Sequence, residues 1–319
     1  MKDQIAGIHH VTAVTGAAGQ NVRFYTEVLG LRLVKKTVNQ DDVSAYHLFY
    51  GDAVGTPGTE LTFFDWPQSP AARPGATTIA PIALSVADEH GLNWWSDRFR
   101  SLGVRSGPAK EEDGHLRLPF LDPEGQRLEL VADGSAIETV GWEQSTVPEA
   151  VSIRGFNDVT VTSAQPEMTL RMLAEVMGFE ITSERELPDG GGQITVFGTG
   201  RGGAGSRVRV VSPGEVEFGA VGIGGVHHVA FRAADDDEQG RWRTHLLAAG
   251  LRVTPVIDRY YFHSIYFREP GGALFEIATD GPGFTADEDE AQLGTHLALP
   301  PFLEPERARI EAGLQPISV

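Results

Sequence analysis

The chain has 319 residues, carries 26 Lys and Arg against 44 Asp and Glu for a formal charge of −18, and contains no cysteine. That length accommodates two domains with cores of their own, the acidity argues against nucleic acid and anionic lipid as partners, and the missing thiols exclude disulfides, thiolate nucleophiles and Cys-ligated zinc or iron–sulfur centres. No apolar segment follows Met1-Lys2-Asp3-Gln4 and no run approaches the length of a membrane span, so a soluble cytoplasmic protein is expected.

In chain order, a first unit near 7–66 opens with Ile8-His9-His10-Val11-Thr12, whose β-branched and apolar residues predict a buried strand. A helix follows from Asn21, closed by Gly30, and then another strand. A second unit near 79–133 carries a helix from Trp94 to Gly103. Its turn, Asp122-Pro-Glu-Gly, feeds a last strand that includes Glu129. Segment 134–151 reads as a linker. The third unit, near 152–212, repeats the first at an offset of 148, with Thr169 to Gly178 standing for the Asn21 to Gly30 helix. Glycine-dense 188–206 reads as a mobile hairpin or loop. The fourth unit, near 225–280, opens with Val226-His227-His228-Val229-Ala230. It repeats the second at an offset of 147, through the Arg241 to Gly250 helix and Glu269-Pro-Gly-Gly-Ala-Leu-Phe-Glu276. Residues 281–319 form an acidic, proline-punctuated tail with a helical stretch from Pro305 to Gly313. The whole predicts an α+β chain with an N-terminal half over 1–133, a C-terminal half over 152–280, and four modules of strand, helix and strands.

The twin His-His pairs carry the chemistry. A regular strand sends neighbouring side chains to opposite faces, so one histidine of each pair can reach a shared centre. Glu276 lies in the strand Ala273-Leu-Phe-Glu-Ile-Ala, where a carboxylate is costly to bury without a cation. His10, His228 and Glu276 then make a two-histidine, one-carboxylate set with open coordination positions, a donor set suited to Fe(II) and oxygen chemistry. The repeat supplies an internal control: the counterparts of His10, His228 and Glu276 read as Asp158, Ile82 and Glu129. Both imidazoles are absent from the second set, which predicts one metal site between modules 1 and 4 and a metal-free domain from modules 2 and 3. Against this stands the ordinary case, in which a strand histidine is a hydrogen-bonded core residue. Glu129 also shows that a Glu can occupy the slot without a metal, bonded to Asp158 or to an arginine.

These residues, with Tyr46-His47-Leu-Phe-Tyr50, Gly55-Thr-Pro-Gly58, Arg259 to Tyr266 and Gly283-Phe-Thr-Ala-Asp-Glu-Asp-Glu, resemble the vicinal oxygen chelate superfamily across nearly the whole chain. Within it, the chain looks most like ring-cleaving dioxygenases of the hydroquinone 1,2-dioxygenase type. The resemblance implies four βαβββ modules paired into two cupped half-barrels. It implies Fe(II) on His10, His228 and Glu276, with Mn(II) sharing the same ligand preferences, and a small aromatic substrate cleaved with O2. It also implies that His9, Thr12, His227, Arg259 and Tyr266 surround the ligands.

Tyr266 could hydrogen-bond a substrate phenolate or be an ordinary strand aromatic. Arg259 could stabilise a developing anion or simply pair with Asp258 or a neighbouring acid. His9 and His227 face away from the metal in regular strands, and reach the ligands only if a bulge re-aims them or if they buttress from behind. Phe262, Phe267 and the Trp94-Trp95 pair are candidates for an apolar pocket, the tryptophans fitting a core role better. The rival activities are extradiol cleavage of a catechol, a glyoxalase-like lyase, isomerase or thiol transferase, and an aromatic-binding resistance protein. A homo-oligomer is compatible with the sequence, which leaves the assembly open.

Overall fold

A computed structural model describes residues 4–135, 138–187 and 190–317; Met1 to Asp3, residues 136 and 137 of the linker, residues 188 and 189 of the glycine-dense segment, and residues 318 and 319 lie outside. Among the described residues there are two eight-stranded sheets. The first takes β1 (Ile8–Thr15), β2 (Arg32–Asn39), β3 (Asp42–Gly51) and β4 (Glu60–Asp65) from the start of the chain. It adds β13 (Gly225–Ala233), β14 (Ile257–Asp258), β15 (Phe262–Arg268) and β16 (Leu274–Pro282), in the order β14-β15-β16-β13-β1-β4-β3-β2. The second is built from one uninterrupted stretch: β5 (Thr78–Val86), β6 (Lys110–Glu112), β7 (His115–Leu121), β8 (Arg127–Ala132), β9 (Phe156–Thr162), β10 (Glu180–Glu186), β11 (Gly192–Gly198) and β12 (Arg207–Pro213). Its order is β10-β11-β12-β9-β5-β8-β7-β6. This is a mixed α+β architecture of two curled half-barrels.

Each sheet is sewn together at its middle by antiparallel strands from different modules, β1 with β13 and β5 with β9. Alternation along these strands separates two faces. Val11, Phe63, Val229, Phe275 and Ile277 turn to the helix-covered side and are buried there, while His10, Thr12, His228 and Glu276 turn into the cup. Helices α1 (Ala18–Arg23), α2 (Glu89–Leu102), α3 (Pro166–Arg171) and α4 (Asp236–Ala248) cover the outer faces. Asp88 and Asp235 cap α2 and α4 by accepting from the Gly91 and Glu238 amides at 2.9 and 2.8 Å. Trp95 is fully buried under α2 and donates its indole N–H to the Val151 carbonyl at 2.8 Å, and Trp94 sits beside the Arg98 guanidinium. The pair is core.

Of the expected hairpin or loop, the glycine-dense segment forms the hairpin, with β11 antiparallel to both β10 and β12. Residues 192–198 are the β11 strand, pairing on both edges, and Ile194, Thr195, Val196 and Phe197 are all buried. The β-branched run Ile-Thr-Val outweighs the flanking glycines.

The tail runs along the open edge of the first sheet. Lys35, with no exposed surface, points from β2 into a cluster with Asp287 and Glu288. It also donates to the Phe284 carbonyl at 3.0 Å and lies 4.7 Å from the Tyr261 ring centre. Tyr261 completes the strap by donating to Asp287 at 2.9 Å. Gly294 passes so near β2 that a Cβ there would fall 1.8 Å from the Leu33 carbonyl oxygen. The predicted terminal helix forms as α5 (Arg307–Gly313).

Candidate metal centre and aromatic pocket

His10, His228 and Glu276 meet at the middle of the first cup. The register sets them there: Ala230 lies opposite His10 on one side and Glu276 on the other, and His228 lies opposite Thr12. Glu276 Oε2 stands 2.9 Å from His228 Nε2 and 3.3 Å from His10 Nε2, and the two imidazole nitrogens are 3.4 Å apart. All three residues are buried. Three donors on one octahedral face, each about 2.1 Å from a cation, would be separated by about 3.0 Å.

The protons can be placed by argument. His9 Nε2 is 3.1 Å from the Thr279 carbonyl, which only accepts, so in the neutral ring Nε2 carries the proton and Nδ1 is a lone pair. His10 Nδ1, 3.0 Å from His9 Nδ1, must then be the donor, and its Nε2 turns a lone pair to the centre. The second pair repeats the geometry, with Nδ1 of His227 and His228 2.7 Å apart. Glu276 Oε1 accepts from Ser264 Oγ at 2.5 Å, whereas Oε2 is buried without a hydrogen-bond partner. Converging lone pairs around an orphaned carboxylate oxygen are what a divalent cation satisfies. The residues fit a metal.

Burial lowers His9 and His228, and takes His227 down to about 3 with help from His228. These rings are neutral at ordinary pH, as ligands and their buttresses need to be.

His9 and His227 do not follow regular alternation. The β1–β13 ladder slips between Ile8 and His10 and again between Thr12 and Ala13, where the partner strand accommodates His227. Each pair therefore straddles a bulge that brings its first histidine back against the second. Thr12 shares the inner face but bonds Thr62 at 2.8 Å rather than a ligand. Tyr266 lies opposite Glu276 in β15–β16, its ring 5.7 Å from that of His228; burial, then Glu276, pushes its hydroxyl up, so it stays a donor. Arg259 sits at the rim, in the β14–β15 connection. Its partner is Asp41 on the β2–β3 turn, met at 2.8 and 3.1 Å, not Asp258. Gln40 donates to the Arg259 carbonyl at 2.8 Å and completes this bridge across the mouth.

The space beside the ligands encloses about 430 Å3, the outer part open to solvent, with Phe49, Phe64, Phe262 and His47 among its walls. Phe262 is thus in the pocket. Phe267 is not: it differs in parity from Tyr266 and packs on Phe275 in the core under the sheet.

In the second cup the ladders place Ala83 opposite both Asp158 and Glu129, as Ala230 is opposite His10 and Glu276. Position 228 thus corresponds to Pro81, not to Ile82. Similar apolar neighbours make the strands align one residue out when read as text. Asp158 and Glu129 are bridged by Arg117.

Four contributing residues have no role assigned by the sequence: His47 and Ser264, which lie inside the quoted motifs, and Glu60 and Arg117, which do not. Ser264 shares a face with Tyr266 and was open to inference by parity. Glu60 begins the apolar strand Glu60-Leu-Thr-Phe-Phe, where a carboxylate is out of place, and it faces His9 Nδ1 at 3.5 Å. Burial, then Asp52 and Asp280, pushes its carboxyl well up.

The comparisons agree with this architecture. Residues 7–130 and 155–277 match the Glyoxalase/Bleomycin resistance protein/Dioxygenase superfamily, and the chain belongs to that family. It is 43% identical over 318 residues to the "Putative ring-cleaving dioxygenase MhqA" of Bacillus subtilis (strain 168), covering 98% of this chain and 99% of the relative. It is 33% identical over 313 residues to the chlorohydroquinone/hydroquinone 1,2-dioxygenase of Sphingobium indicum, covering 95% and 94%. A crystal structure described as that of a "putative dioxygenase" from Bacillus subtilis superposes with a TM-score of 0.90 at 38% identity, covering 99% of both chains. Among the described residues, no helix is long and apolar enough to cross a membrane.

Proposed function

We propose that the chain is an Fe(II)-dependent ring-cleaving dioxygenase that opens a substituted hydroquinone-type ring with O2. The observation that carries this reading is the convergence of His10 Nε2, His228 Nε2 and Glu276 Oε2, within 3.4 Å of one another, beside an aromatic-walled cavity. Relatives named for ring cleavage support the substrate class. Held by these three residues, Fe(II) would supply open coordination positions and the one-electron chemistry that reaction with O2 requires. Mn(II) would be accommodated by the same donors.

The chain's own residues do the rest. His9 and His227 accept from the ligand imidazoles and so fix their tautomer and orientation. Tyr266 offers a protonated hydroxyl to a phenolic oxygen of the substrate. Arg259, held in place by Asp41, presents fixed positive charge to the anion that develops as the ring opens. Phe49, Phe64 and Phe262 wall the space for the ring and exclude water.

The test is oxygen uptake by apoprotein loaded anaerobically with Fe(II), with methylhydroquinone, catechol and a glutathione hemithioacetal as candidate substrates. Uptake with the hydroquinone supports the proposal. Faster uptake with catechol moves the assignment to ortho-diols, and turnover of the glutathione adduct without oxygen uptake refutes a dioxygenase.

A further inference from the structure

The cup has a second polar locus, on the β2–β3 wall. Thr37 and His47 lie directly opposite each other in the antiparallel ladder, so both turn to the same face, and both line the cavity that His10 and His228 reach. Thr37 is 2% exposed, and its Oγ1 is buried with no hydrogen-bond partner. His47 bonds through Nε2 to Thr62 Oγ1 at 3.0 Å, and Thr62 Oγ1 bonds Thr12 Oγ1 at 2.8 Å. The ring packs against Phe49 and Phe64, tilted by 39° and 46° with centroids at 4.0 and 4.4 Å, which holds it in place. An orphaned buried hydroxyl beside an imidazole packed between aromatic neighbours costs stability unless a ligand supplies a polar atom there.

We propose that Thr37 and His47 form a distal hydroxyl-recognition site, which binds the oxygen of an aromatic diol at the opposite end of the ring from the one held near His10, His228 and Glu276. The assignment rests on the hydroquinone reading above and names the residues that would select a para-diol. A diol with both oxygens on neighbouring carbons places them together at the metal end and leaves Thr37 and His47 unsatisfied. A para-diol satisfies both ends at once. The Thr12–Thr62–His47 chain allows either role, because its hydroxyl protons can point either way. With Thr62 donating to Nε2, His47 donates through Nδ1; with the chain reversed, Nδ1 accepts. A pocket built to bond a hydroxyl discriminates strongly against the analogue that lacks it.

The test compares hydroquinone with phenol, which differ only in the distal hydroxyl. Binding of each to the anaerobic Fe(II)-loaded protein is measured by calorimetry for the wild type, Thr37→Val and His47→Ala. We expect the wild type to prefer hydroquinone. Each variant should lose about tenfold or more in hydroquinone affinity while phenol binding holds, so the ratio collapses. Thr37→Val is nearly isosteric and keeps the test decisive if the His47 variant misfolds. Equal wild-type affinity for the two phenols, or a ratio unchanged in Thr37→Val, overturns the site. Oxygen uptake is scored separately: its absence with every diol defeats the dioxygenase proposal, while the binding ratio still decides the distal site.

Discussion

Arg117 grips Asp158 with two parallel hydrogen bonds, Nη1 to Oδ2 at 2.9 Å and Nη2 to Oδ1 at 3.0 Å, and its Nε donates to Glu129 at 2.7 Å. By register Arg117 answers to Ser264, Asp158 to His10 and Glu129 to Glu276. One cup therefore carries its cation on the chain, as a guanidinium, where the other gathers donors for an ion. Substituting Arg117→Ala should strand two carboxylates, one of them buried, and cost about 3–5 kcal/mol in urea denaturation at neutral pH. Adding Asp158→Asn and Glu129→Gln should recover most of that loss. A single variant as stable as the wild type would show that the pair is not the cup's internal counterion.

Removal of the metal should be felt as stability. A His228→Ala variant should fold but fail to retain stoichiometric divalent metal. Its thermal midpoint should match that of wild type stripped with a chelator and lie below that of the loaded wild type. Metal analysis and scanning calorimetry on the same samples check this, and stoichiometric metal in the variant would refute the ligand set.

His9 should matter through His10. His9→Ala removes the acceptor for His10 Nδ1–H and should weaken metal binding about 10–100-fold without changing stoichiometry. Competition titration against a calibrated chelator measures the shift. Unchanged affinity would mean that the bulge in β1 serves only packing.

Lys35 should govern the tail. Breaking its buried cluster with Lys35→Ala leaves Asp287 and Glu288 without their cation, costing about 3–5 kcal/mol. Amide exchange should then rise across 283–298 while the strands of the second sheet keep their protection.

Asp122 predicts a pH dependence. Burial raises its carboxyl to about 6, against backbone bonds from Gln126 and Glu124 that lower it. A carboxyl whose folded value lies above its unfolded value contributes stability that is fully present below the unfolded value and is lost as pH rises through the folded one. Between about pH 4 and 6.5 the wild type should therefore forfeit about 2–3 kcal/mol that Asp122→Asn does not. Parallel urea curves at pH 4.5 and 7.5 give the difference, and identical slopes with pH would contradict the shift.

The repeat made the clustered triad legible, because losing both imidazoles in one copy marks them as more than fold-keeping. Parity within β15 likewise separates Tyr266 from Phe267. Two things lay beyond the text. Period-two reasoning has no sign of a bulge, so His9 and His227 were open between two faces until the ladder register was known. Partners such as Asp41 for Arg259 and Asp287 for Lys35 lie 218 and 252 residues away, and only chain topology brings them together. The Pro81 correction has the same origin, since alignment by similarity cannot see which amide faces which carbonyl.

The second sheet comes from a single stretch of chain enclosed between the two parts of the first. During synthesis the inner sheet can therefore close on itself while β1 to β4 still wait for strands that begin at residue 225. The donor set stays divided across the ribosome until residue 276 has emerged. A nascent chain thus carries His10 for most of its translation without His228 or Glu276.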